Sequence, residues 1–210
     1  MSIVTIRGPL GSGAPEVGRQ TAEILHADYV DREIIAEVAA RLQRQEHDVI
    51  AKEMPPSTLL GRVADALDRG IPFGIGFEGT YLPAWEIPLD DNRYLRALES
   101  VIKELARSQS LVIRGRGSQF ILKDYPGTLH VLTVAPLELR LKRVMQELKV
   151  DKEAAKQEIA RFDSSSRKFI KRYFQGTWED PVHYDLVVNT EHLSFQAAAS
   201  LVVSALSFKE

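Results

Sequence analysis

The 210-residue chain has no cysteine. That excludes disulfides and thiolate metal sites, and it suits a reducing compartment such as the cytoplasm. Histidine is sparse: His26, His47, His130, His183 and His192 are scattered, with no HExxH or other paired metal spacing. Neither sign of charge dominates. Lys and Arg number 27 against 29 Asp and Glu, a formal net charge of −2, so no global positive field draws the chain to nucleic acid. No apolar run approaches the length of a membrane span, and no membrane partner is expected. The opening MSIVTIRGPLGSG lacks the charged-then-apolar order of a signal peptide and is expected to belong to the fold. Repeats and low-complexity tracts are also missing. The remainder is 44% hydrophobic, enough for one substantial core, so a single domain over 1–210 with small inserted lobes is expected.

Strand and helix patterns alternate along it. Residues 3–6 read as a short strand that runs into the turn cluster Gly8-Pro9-Leu10-Gly11-Ser12-Gly13. A helix should follow, with Pro15 and Glu16 in its first turn and Val17, Thr21, Ile24 and Leu25 on one face. Residues 28–30 form a second strand. Asp31 is placed to cap the next helix, whose apolar stripe is Ile34, Ile35, Val38, Ala39 and Leu42. Further helices are predicted over 95–106, 137–148, from Asp151 onward and over 195–206, with strands over 111–113, 129–135 and 186–188. This alternation predicts an α/β fold with a parallel sheet covered on both faces. The stretch 48–94 is less regular. Residues 59–67 look helical, and 70–89 mix glycine and proline with Phe73, Phe77, Tyr81 and Trp85. That is too aromatic for a solvated linker. It reads as an ordered loop packed on the domain or, alternatively, on a second copy of the chain as a homodimer contact.

Three segments carry candidate chemistry. Gly8, Gly11, Ser12 and Gly13 sit in a strand–turn–helix unit, where backbone N–H groups converge on an anion at a helix N-terminus. Against the pattern GxxxxGK[ST], Gly8 and Gly13 match the glycines, while Ala14 stands at the lysine and Pro15 at the hydroxyl position. An ordinary glycine-rich turn is the competing reading. The second segment is Arg114-Gly115-Arg116-Gly117 after a buried strand, at the sheet edge where ligands bind in open α/β folds. An arginine there can clamp a phosphate; a plain surface arginine is the alternative. The third is 161–173, RFDSSSRKFIKRY, with Arg161, Arg167 and Arg172 among five cations and a single acid. It would neutralise charge in phosphoryl transfer if it closed over the site, or it is a solvated helix face.

Taken together, three stretches resemble the cytidylate kinase-like family of the P-loop nucleoside monophosphate kinases: 3–42 (IVTIRGPLGSGAPEVGRQTAEIL…), 111–145 (LVIRGRGSQFIL…) and 161–190 (RFDSSSRKFIKRYF…). The resemblance implies a P-loop kinase-type three-layer sandwich with a five-stranded parallel sheet, a monophosphate-binding insert near 48–94 and a lid near 150–182. It implies transfer of the γ-phosphoryl of ATP, with magnesium, to CMP or a similar monophosphate. Carried over, Gly8, Gly11, Ser12, Gly13 and Ala14 would hold ATP phosphates, and Asn189 would lie near the adenine. Asp31, Arg32 and Arg114 would face the monophosphate, while Arg116, Arg161, Arg167 and Arg172 would serve catalysis.

The departures at Ala14 and Pro15 remove the loop lysine and the magnesium hydroxyl. Besides the enzyme, two readings therefore stay open. One is a catalytically impaired nucleotide-binding regulatory module of the same fold; the other is a small-molecule kinase for a non-nucleotide substrate. In each the partner is a small molecule, a nucleotide in the first two.

Overall fold

The computed structural model describes residues 1–31, 33–53 and 90–209. Arg32, the helical pattern at 59–67 and the aromatic segment 70–89, with its homodimer reading, lie outside the described residues.

Short runs of β-branched and aliphatic residues supply the strands. These are β1 (Ile3–Arg7), β2 (Asp28–Val30), β3 (Leu111–Arg114), β4 (Thr128–Val134) and β5 (Leu186–Asn189). They form one sheet in the order β2-β3-β1-β4-β5, with every pairing parallel. Helices fill the crossovers: α1 (Ala14–Leu25), α2 (Glu33–Leu42), α3 (Glu46–Glu53), α4 (Asp91–Ser108), the short α5 (Ser118–Ile121), α6 (Leu137–Leu148), α7 (Lys152–Phe174) and α8 (Phe195–Leu206).

Alternation along each strand divides the core into two layers. Ile3, Leu111, Ile113 and Leu132 face α2 and α4, packing with Ile34, Val38, Leu98 and Ile102. Val4, Ile6, Val112 and Val131 face α1 and α8, packing with Ala14, Val17, Ala198 and Val202. The result is the expected three-layer α/β sandwich of the P-loop kinase type. Helix α1 turns Ala14, Val17, Gly18, Thr21 and Ala22 inward. Ile24, expected on that face, is 44% exposed, because close α1–sheet packing through Gly18 and Tyr29 rotates the stripe.

The basic stretch 161–173 lies within α7, a continuous helix of 23 residues capped by Asp151, whose carboxylate accepts from the Ala154 amide. Its two halves are anchored differently. Ala155 and Ile159 pack on Leu141 and Val144 of α6, with Leu10 against the same cluster. Phe169 and Ile170 belong to the main core beside Tyr94 and the buried Trp178. Phe174 stacks on Phe120 with centroids 5.2 Å apart, and a Cβ on Gly117 would lie 2.2 Å from the Phe174 ring. That glycine lets the C-terminal end of α7 close onto the turn after β3.

Candidate functional site

All five strands end at the edge where the singled-out glycine and arginine segments emerge. The turn after β1 is shaped by contacts on its carbonyl side. Gly11 and Gly13 adopt φ of +80° and +88°, the left-handed region that favours glycine. A Cβ on Gly8 would fall 2.2 Å from both Ser12 Oγ and Thr133 Oγ1, and one on Gly13 would fall 2.5 Å from the Phe195 ring. The loop carbonyls are then tied down. Arg140 Nε donates to Leu10 O (2.8 Å), Arg143 Nη1 to Gly11 O (3.1 Å), and Thr190 Oγ1 to Ser12 O (2.8 Å). Ser12 spends its hydroxyl on Thr133 Oγ1 at 2.8 Å.

With the carbonyls held, the amide side of the loop opens at the N-terminus of α1. Among the described residues no acceptor takes the amides of Gly11, Gly13 and Ala14. Such a concave row of donors at a helix start suits an anion. One amide is already engaged: Leu10 N donates to Asp163 Oδ1 of α7 at 3.1 Å. The same carboxylate pairs with Arg140 Nη2 at 2.5 Å, and both side chains are buried. Asp163 thus braces α6, α7 and the loop together.

The donor set fits phosphate better than metal. Ala14 is buried in the α1 core and Pro15 offers neither hydroxyl nor amide. Among the described residues no cluster of three or more His, Asp or Glu side chains is spaced to hold a metal ion. The loop itself therefore lacks the side chains that would fix magnesium.

Beside the loop, at the ends of β2 and β3, Asp31 meets two arginines. Its Oδ2 lies 2.5 Å from Arg114 Nη1 and its Oδ1 3.6 Å from Arg116 Nη2. The expected helix cap is therefore turned sideways into an ion pair, because α2 starts next to β3, whose end is cationic. Burial alone would raise the Asp31 carboxyl, but the Arg114 and Arg116 charges outweigh it and hold it below its ordinary value. Gly115 between the arginines has φ +71°, and no atom of the described residues lies within 4 Å of where a Cβ would stand.

The arginines of α7 are spread along the helix, each on an acid. Arg161 is close to Glu158 (2.5 Å), Arg167 Nε donates to Glu179 (2.5 Å), and Arg172 Nε donates to Asp91 (2.7 Å). Burial lowers the Arg161 guanidinium and raises the Glu158 carboxyl, which marks that pair as the desolvated one. Asn189 is exposed, and its side chain accepts from the Glu191 amide at 3.0 Å.

Thus Gly8, Gly11, Ser12, Gly13 and Ala14 share one turn, and Asp31, Arg114 and Arg116 form a cluster next to it. Arg161, Arg167 and Arg172 do not converge on a point. Sequence reasoning passed over Arg140, Arg143, Asp163 and Phe195. Arg143 also donates to the Thr190 hydroxyl and carbonyl, each at 2.8 Å, and lies 4.9 Å over the Phe195 ring. The available signal was the spacing of Arg140 and Arg143, one helical turn apart directly after β4.

Residues 3–192 match the model of the cytidylate kinase-like family. A cytidylate kinase of Staphylothermus marinus is 22% identical over 205 residues, 96% of this chain and 94% of that protein. One of Methanocaldococcus jannaschii is 29% identical over 107 residues, 49% of this chain and 59% of the relative. A uronate isomerase of Corynebacterium glutamicum is 31% identical over 104 residues, half of this chain but only 20% of that protein. Among solved structures, an uncharacterized protein from Eubacterium ventriosum superimposes with a TM-score of 0.70 at 18% identity, covering 99% of both chains. Shikimate kinase from Bacteroides thetaiotaomicron gives 0.50 at 10% identity, also covering 99% of both, a likeness of fold. With the family model spanning nearly all of it, the chain belongs to the cytidylate kinase-like family.

Proposed function

We propose that the protein is a nucleoside monophosphate kinase that moves the γ-phosphoryl group of magnesium-bound ATP to CMP or a similar monophosphate. The observation that carries this reading is the glycine turn, braced from behind by Arg140, Arg143 and Thr190, with open amides at the start of α1 and the Asp31–Arg114–Arg116 cluster alongside. In the proposed reaction an acceptor phosphate oxygen forms a bond to the γ-phosphorus. The bond from phosphorus to the β,γ-bridging oxygen breaks, and ADP leaves with the electron pair. Such chemistry depends mainly on positioning and on stabilising spread-out negative charge. The turn from Gly8 to Gly13, with Ala14, would hold the ATP phosphates, and Asn189 would border the adenine. Asp31, Arg32 and Arg116 would receive the monophosphate. Arg161, Arg167 and Arg172 of α7 would supply charge from above if the helix changes its acidic partners. Magnesium would travel with the ATP phosphates.

A second reading has its own support. Ala14 and Pro15 remove two groups that usually assist transfer, and Asp163 already occupies a loop amide. These features favour a nucleotide-binding regulatory module of the same fold. The two readings part in a coupled ADP-release assay with each common nucleoside monophosphate. Stimulation by one of them, reduced in Arg167→Ala, supports the kinase. ATP binding without stimulation by any monophosphate sinks the kinase and leaves the module.

A further inference from the structure

Ala14 stands at the lysine position of the pattern GxxxxGK[ST], so within the turn itself only backbone amides would face the terminal phosphates. We infer that Arg114 supplies this cation from the neighbouring strand, on the triphosphate side of the site, which rests on the nucleotide-kinase reading above.

Strand alternation gives the direction. Val112 packs in the layer under α1, with Ile6, Ala14 and Val17, whereas Leu111 and Ile113 point into the opposite layer. Arg114 is two residues beyond Val112 and so shares the α1 face. Its place is set by register: Arg114 is level with Ile6 of β1, and Gly115 N donates to Ile6 O at 3.1 Å. Gly8 begins two residues after Ile6. The guanidinium thus belongs under the first turn of α1, where Ala14 occupies the lysine position. Electrostatics agree. Burial would lower Arg114, but Asp31, with Tyr29 and Glu16 of that first turn also acting on it, raises it above its ordinary value.

Topology makes the choice of partner a local one. In the order β2-β3-β1, Arg114 stands between Asp31 at the end of β2 and the glycine turn at the end of β1. Neighbouring strands are only about 4.8 Å apart, within the swing of an arginine side chain. Other cations near the loop have different work. Arg140 and Arg143 hold loop carbonyls, and Arg7, on the opposite face, lies 4.9 Å over the Trp178 ring. When phosphate arrives, Arg114 transfers from the Asp31 carboxylate to the β- and γ-phosphates. Asp31 then acts as the counter-ion that keeps Arg114 in place while the loop is empty.

Calorimetric titration of the full chain with ATP, and with AMP as the probe lacking β- and γ-phosphates, tests this. Arg114→Gln should weaken ATP about ten- to a hundredfold, the worth of charge-assisted hydrogen bonds, and leave AMP within about threefold. Arg114→Lys should recover most of the ATP affinity. Asp31→Asn, which releases Arg114, should leave ATP affinity equal or higher. Since Arg114→Gln leaves the half-buried Asp31 carboxylate to Arg116 alone, 3.6 Å away, the double variant Arg114→Gln with Asp31→Asn serves if the single one fails to fold, with the same expectation for ATP. Wild-type ATP affinity in a folded variant lacking Arg114, or equal losses for ATP and AMP, overturns the inference; so does a tenfold loss in Asp31→Asn. Any of these three results with monophosphate-stimulated ADP release intact removes Arg114 alone. A chain that binds ATP as expected but transfers nothing fails the kinase reading alone, and a wild type that does not bind ATP fails both.

Discussion

Asp163 ties the glycine turn to both α6 and α7. It is 6% exposed, accepts from Leu10 N, and pairs with Arg140, itself only 9% exposed. Asp163→Ala would leave Arg140 as a buried cation without its carboxylate and the Leu10 amide without an acceptor. Removing one partner of a buried pair costs about 3–5 kcal/mol. Arg140 Nε retains the Leu10 carbonyl, which places the expected loss near the low end, about 3 kcal/mol. For a chain of this size that corresponds to a melting temperature lower by about 6–12 °C. Asp163→Asn keeps an oxygen for Leu10 N and loses only the charge, so about 2 kcal/mol is expected. Arg140→Met with Asp163→Leu removes both charges and should cost less than Asp163→Ala, because no buried ion is stranded. Urea unfolding of the three variants gives the ranking. An Asp163→Ala stability within about 0.5 kcal/mol of wild type, the scale of an ordinary surface substitution, would refute the view that this carboxylate braces the loop.

Gly13→Ala should destabilise by about 2–4 kcal/mol, combining the left-handed backbone with the clash against Phe195. Gly115→Ala has the backbone cost without the clash, so chemical denaturation should show it losing only about 1 kcal/mol; equal losses would contradict the packing described. His130 is buried and neutral, bonded to Thr5 Oγ1 at 2.8 Å, and burial lowers its pKa from the ordinary 6.5. The unfolded chain therefore binds the extra proton first, so this contribution to stability is present above pH 6.5 and declines as pH falls from there toward the lower folded value. Unfolding free energies that His130→Gln leaves with the same slope below pH 6.5 as wild type would count against it. Arg116→Ala should weaken monophosphate binding by about 1.5–3 kcal/mol with little change in folding stability; unchanged calorimetric affinity would remove Arg116 from the site.

Much of this molecule is written locally. The run IVTIR, the glycines after it and Pro15-Glu16 define a strand–turn–helix unit without reference to the rest of the chain, and the structure places β1 and α1 there. The predicted closing helix over 195–206 coincides with α8, because apolar periodicity and the Ser194 cap are near-neighbour properties. The family, too, was legible, since the order of three segments survives without any single decisive motif. Partners across the fold were not legible. Asp163 sits amid a basic run and looks like one acid on a solvated face, yet it is buried against a loop 153 residues away in sequence. Arg140 and Arg143 look like ordinary helix-surface cations until α6 is laid beside the turn.

Composition, alternation and turn chemistry by themselves determined the α/β class, the five strands and the place of the glycine turn after β1, because each depends on residues a few positions apart. Tertiary structure alone decided the long-range polar partners: that Asp31 turns to Arg114 rather than capping α2, that Thr190 holds Ser12 across 178 residues, and that Arg167 and Arg172 go to Glu179 and Asp91. The physical reason is that, beyond pairs three or four apart on one helix, a charged side chain's partner is not a near neighbour in sequence. Its state follows from which opposite charge and how much water the packed helices and strand ends leave within a few ångströms.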